Sequence, residues 1–150
     1  MSVSNEDIAK EVLRIQERDG VCSPAAFVDA AQDPDSPLHS LFEWDDTSEA
    51  RHWREHRARQ IIGRVKIEVN GTRTPAHVSV TVTRGDGQRT GYVPVEVAMS
   101  DEELRAQVFR QAAAGLDGWR RRLSAFREAE HAVALIASAI SMLGDDDSAA

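Results

Sequence analysis

His52 and His56 are the residues whose type and spacing come closest to a known chemistry. Four residues apart on a helix, they project from one face, where two imidazoles can hold a metal ion. Trp53 stands where a zinc-protease helix would carry its catalytic glutamate, and no third ligand is evident, so the pair reads as surface histidines and no metal is expected. Nothing beyond residue type links Cys22 to the distant His39 as nucleophile and base. A single cysteine beside Ser23-Pro24-Ala25 reads as a small core residue. Asp45 and Asp46 fit helix capping better than acid and base roles. Gly85-Asp86-Gly87 fits a hairpin turn better than a phosphate-cradling loop. No catalytic residue and no cofactor follow from this sequence, and a non-enzymatic protein is expected.

Charge is the stronger signal. The 150-residue chain carries a formal charge of −7, yet Arg51 to Arg89 holds nine cations against only Glu55, Glu68 and Asp86. That stretch is therefore near +6 and the remainder near −13. A polarity of this kind suits phosphate binding, and Arg51, Arg59, Arg64, Lys66, Arg73, Arg84 and Arg89 are the expected contacts to DNA. Arg54 and Arg57 fall on the same side of a helical wheel as Ala50, Ala58, Ile61, Ile62 and Val65, with Trp53 at its margin. There they either snorkel past the core or pair with acids such as Glu43 or Asp45.

An α+β frame must position these groups. Ser4 with Asp7 resembles a capping box, Ile8, Val12 and Ile15 recur at helical spacing, and Gly20 stops a helix predicted over Asn5–Asp19. Ser23-Pro24 starts a second helix that ends near Gln32, before Asp33-Pro34-Asp35-Ser36-Pro37. Leu38 to Trp44 fits one further turn. Asp45 to Glu49 then open a third helix, with acids at its positive end and arginines toward its negative end. From Val65 the period changes to two. Val65, Ile67 and Val69, then Val78, Val80 and Val82, then Tyr92 to Val95 predict a small antiparallel meander with turns at Asn70-Gly71 and Gly85-Asp86-Gly87. Pro94 places the last strand at an edge or ends it early.

Three N-terminal helices, followed by the long Arg51 to Arg64 helix and a basic hairpin, resemble a helix-turn-helix with a wing, the long helix and the hairpin being the expected contacting parts. Against that stands the segment Asp33 to Trp44, a candidate recognition element that has no Arg or Lys. Beyond Ser100-Asp101-Glu102-Glu103, which reads as a capping box, positions from Phe109 to Ile140 follow a 3,4 spacing with Glu130 the one polar member. One long helix is expected, open to a kink at Gly115 or Gly118. Leu116, Trp119, Leu123, Phe126 and Val133 would form a self-association seam of coiled-coil type. The expected divisions are 1–99, a helical module with the meander, 100–143, the heptad-patterned helix, and 144–150, a disordered acidic tail.

The N-terminus is polar and acidic, and the longest apolar run, Ala132 to Ile140, is far short of the ~20 residues a membrane span needs. With one cysteine, the expected compartment is the cytoplasm, with no membrane partner. The run Ser36-Pro37-Leu38-His39-Ser40-Leu41-Phe42-Glu43-Trp44-Asp45-Asp46, then Ala50 and Ala58-Arg59-Gln60-Ile61-Ile62, with Tyr92-Val93-Pro94-Val95 further on, is similar to a group of small phage- and prophage-encoded proteins. That resemblance implies a phage context within a host cell and no particular chemistry. The leading expectation is a DNA-binding accessory or regulatory protein. The alternative is a protein-interaction or virion-assembly factor that self-associates and engages a phage or host protein.

Overall fold

The computed structural model describes residues 2–44 and 48–145. Asp45, Asp46 and Thr47 of the expected helix opening, and residues 146–150 of the expected acidic tail, lie outside the described residues. The chain is α+β and divides into two units, 1–98 and 99–150.

Helix α1 (Asn5–Asp19) has the predicted bounds. The Asp7 N–H donates to Ser4 Oγ at 3.1 Å while the Ser4 N–H donates to the Asp7 carboxylate at 3.3 Å, so each side chain satisfies the other residue's otherwise orphaned N–H. Ile8, Val12 and Ile15 are fully buried. Gly20 ends the helix with φ 89°, a backbone state that costs glycine no steric clash. Ser23 caps α2 (Pro24–Ala31) by accepting from the Ala26 N–H at 3.0 Å. Asp33 to Trp44, the candidate recognition element, is no reading helix. It is a turn and a single 3-10 turn (His39–Leu41) that buries Leu38 and brings Phe42 against Phe27, ring centroids 6.2 Å apart. Helix α3 (Ser48–Arg64) closes the three-helix core with Ala58, Ile61 and Ile62.

The strands form two antiparallel hairpins where one three-stranded meander was expected. Strands β1 (Lys66–Val69) and β2 (Thr72–Pro75) turn at Asn70-Gly71, both with positive φ as a type I′ turn requires. Strand β2, Thr-Arg-Thr-Pro, carries no apolar alternation and so gave no strand signal. Strands β3 (His77–Arg84) and β4 (Gly87–Pro94) pair from His77↔Pro94 to Arg84↔Gly87. Cys22 bridges to Tyr92 through N–H···O bonds of 2.8 and 2.7 Å, one in each direction. Strand β4 thus lies between β3 and the Cys22 segment, and Pro94 ends it rather than marking it as an edge. The order is helix, short extended segment, helix, helix, then a hairpin whose second strand receives the extended segment. An additional hairpin, β1–β2, is inserted before it.

Gly91 makes that arrangement possible: a Cβ there would stand 2.7 Å from the Cys22 and Ser23 backbone. The short helix α4 (Val95–Ser100), in place of the expected strand end at Val95, had no periodic signal.

In the second unit, α5 (Glu102–Leu123) and α6 (Glu130–Asp145) pack together on either side of a 3-10 turn, Arg127–Ala129. The α5 start and the α6 end line one cavity, so the helices run antiparallel. The segment 100–143 is helical as expected but folds back once. The break falls after Leu123, while Gly115 and Gly118 lie inside α5. The Ser124 hydroxyl donates to the carbonyls of Arg120 and Arg121, both at 2.8 Å, which competes with continuation of the helix. Asp101, not Ser100, caps α5, accepting from the Leu104 N–H at 3.0 Å. No helix among the described residues is long and apolar enough to cross a membrane.

Candidate nucleic-acid interface

Helix α3 has two unlike faces. Its buried stripe is Ala58, Ile61 and Ile62, with Val65 just beyond its end. At 3.6 residues per turn, Trp53, His56 and Gln60 lie opposite that stripe. Arg57 and Arg64 flank them on one side, His52 and Arg59 on the other, and all seven are exposed. Trp53 is 67 % exposed and its ring lies 5.7 Å from that of His56. The Gln60 amide nitrogen is 3.3 Å from His56 Nε2. A large aromatic that no core demands, an amide and guanidinium groups on one outward surface are the side-chain types that contact bases and phosphates.

The seven cations expected to hold phosphates do not form one patch. Arg51 lies 3.6 Å from both Asp29 and Glu55. Arg84 donates to the Arg18 carbonyl at 3.1 Å, and Arg89 donates to the Asp19 carbonyl at 3.2 Å. The β3–β4 arginines therefore serve the carbonyl end of α1, where positive charge is favoured by the helix dipole. The Arg18 guanidinium beside Asp19 holds that carboxyl below its ordinary range, with smaller help from Arg89 and Arg84. Arg73 sits opposite Glu68 in the β1–β2 register. Arg59, Arg64, Lys66 and Arg73 are exposed and enter no ion pair or hydrogen bond among the described residues.

Trp53 and Arg57 are the residues that sequence reasoning misplaced: Trp53, set at the margin of the apolar side, lies exposed opposite it. On a wheel centred on Ala58, Ile61, Ile62 and Val65, Arg54 falls ~30° from the centre and Arg57 ~90° away. Arg54 is half-buried: its Nε donates to the Glu43 carbonyl at 2.9 Å and its guanidinium lies 4.9 Å from the Trp44 ring centroid. Arg57 is exposed and, like its four neighbours above, unpaired among the described residues. Weighting the wheel by the width of the apolar stripe would have separated the two.

Cys22 and His39 are otherwise engaged. Cys22 is fully buried, and burial pushes its thiol up to about 12, far from a nucleophilic thiolate. His39 Nδ1 lies 2.8 Å from the Ala31 carbonyl and its ring stacks on Trp44 at 5.1 Å. Among the described residues no three His, Cys, Asp or Glu side chains gather to hold a metal.

In the second unit, the expected association residues separate. Leu116, Leu123 and Val133 are half-buried, whereas Trp119 and Phe126 are 56 % and 60 % exposed. Arg120 and Arg121 pair with Asp117 at 2.8 and 3.2 Å, and Arg122 lies over Trp119 at 4.8 Å. Comparison with protein-family models, with curated proteins and with solved structures finds no match to this chain.

Proposed function

We propose that residues 1–98 bind duplex DNA, with α3 presented to the major groove and the β1–β2 hairpin beside it on phosphates. The outward face of α3 carries this reading. Its Trp53, His56 and Gln60 meet base edges or sugars, while Arg57, Arg59 and Arg64 hold phosphate oxygens on either side. Lys66 and Arg73 extend the contact, and Arg51, Arg84 and Arg89 are structural. The order of helices and paired segments supports the winged helix-turn-helix reading, with α3 in the place of the recognition helix. The role is that of a non-enzymatic accessory or regulatory protein, and the tryptophan–acid motif before α3 supports a phage setting.

An overall charge of −7 opposes DNA at long range, so binding rests on local phosphate contacts, whose release of counterions makes affinity fall as salt rises. Titration of the protein with duplex and single-stranded DNA at low and moderate salt tests the proposal. Duplex binding at low salt that weakens as salt rises supports it. Absence of binding at low salt, or indifference to salt, contradicts it.

A further inference from the structure

We propose that the side of the α5–α6 hairpin bearing Trp119, Leu135 and Met142 is covered by a second copy of this chain, the two hairpins packing about a two-fold axis as a four-helix bundle. From Ala132 to Leu143, α6 contains no charged residue. Apart from Ser138 and Ser141 its surface over that stretch is apolar, and a helix without a charged face is ordinarily covered. Here α6 half-buries Val133, Ile136, Ile140 and Leu143, yet leaves Leu135 at 60 % and Met142 at 72 % exposure. Among the described residues of 99–145, Leu104 is the one large apolar side chain that is buried. So thin a core does not sustain two helices, and association is the common remedy at this size.

The two sides of the hairpin differ. In an antiparallel pair, helical periodicity places Ala112 and Trp119 of α5 on the same side as Leu135, Ala139 and Met142 of α6. The opposite side carries the Arg110–Glu103 and Arg121–Asp117 ion pairs. The middle of the apolar side has no charge, and Arg122 edges it with its guanidinium laid over Trp119. A surface whose middle is uncharged, with Arg105 and Arg122 only at its margins, favours its own copy: a two-fold axis brings the apolar centres together without burying a charge, in a molecule of net charge −7. Alanines at 112 and 139 leave room for a facing helix to approach.

The area suffices. Trp119, Leu135 and Met142, with the exposed Ala112 and Ala132 beside them, present on the order of 500 Å² per chain, taking ~150–250 Å² for a whole large side chain. Two copies then cover roughly 1,000 Å², the size at which specific interfaces begin.

Sedimentation equilibrium on the full chain without DNA, over a wide concentration range, tests this independently of any nucleic-acid binding. The expected mass is twice the 16.5 kDa of one chain. The double substitution Leu135→Lys/Met142→Lys should return a monomer with unchanged helical circular dichroism, because both side chains point away from the hairpin's own packing. Met142→Lys alone provides a second variant, expected to weaken association at least ~10-fold. A monomeric wild type, a mass other than two chains, or a folded Met142→Lys variant that associates as tightly as wild type overturns the proposal.

Discussion

Replacing Arg57, Arg59 and Arg64 together with glutamine separates α3's outward cations from those bound to structure. All three are exposed, and glutamine keeps helix propensity close to that of arginine, so the fold should persist. Five exposed cations, these three with Lys66 and Arg73, have no partner among the described residues. If each neutralises one phosphate, the plot of log affinity against log salt has a slope of about −4.5, and a fourfold rise in salt weakens binding roughly 500-fold. The triple variant keeps two, which lowers the slope to about −1.8 and the same salt loss to roughly 12-fold. Fluorescence anisotropy with a labelled duplex across a salt series reads both slopes. The control is Arg84→Gln/Arg89→Gln, whose guanidinium groups serve the end of α1. It should leave the slope near −4.5 and instead lower stability by ~0.5–2 kcal/mol. An unchanged slope in the triple variant, or an equal drop in the control, refutes the assignment of phosphate contacts to α3.

Gly91→Ala should destabilise the protein by ~2–4 kcal/mol in urea unfolding, because its Cβ would lie 2.7 Å from the Cys22 backbone and separate β4 from that segment; a loss under ~0.5 kcal/mol would contradict the close approach. His77 is 8 % exposed, with Nδ1 unpartnered among the described residues, and burial holds its pKa below the ordinary 6.5. The unfolded chain therefore binds this proton first, so the contribution is complete above pH ~6.5 and declines as pH falls from there toward the lower folded value, by at most ~1.4 kcal/mol per pH unit. Stability measured from pH 7 to 5 should show that decline in wild type and less of it in His77→Leu. Arg54→Ala should cost ~1–2 kcal/mol by removing the bond to Glu43 and the contact with Trp44, while leaving the salt slope of DNA binding unchanged.

Local signals were legible where a short stretch of chain determined the outcome. Ser4 and Asp7 with Gly20 bounded α1, Ser23-Pro24 opened α2, and Asn70-Gly71 marked its turn, because caps and turns depend on neighbours in sequence. What escaped depended on distant partners. The Cys22–Tyr92 pairing joins residues seventy apart, and no local pattern reports it. The 3,4 spacing from Phe109 to Ile140 continues across the break because α5 and α6 each carry an apolar stripe, and spacing alone does not distinguish one helix from two that fold back on each other. The roles of Arg84 and Arg89 followed from the α1 carbonyls that the fold brings to them, which net charge along the chain does not reveal.

The most direct test of the DNA-binding proposal is to map amide chemical shifts in an ¹⁵N-labelled sample as a short duplex is added at low salt. The largest changes should fall along α3 and its continuation, at Trp53, His56, Arg57, Gln60, Arg64 and Lys66, and should fade as salt is raised. Changes confined to residues 99–145, or none anywhere at low salt, would contradict the assignment of α3 as the DNA-contacting helix.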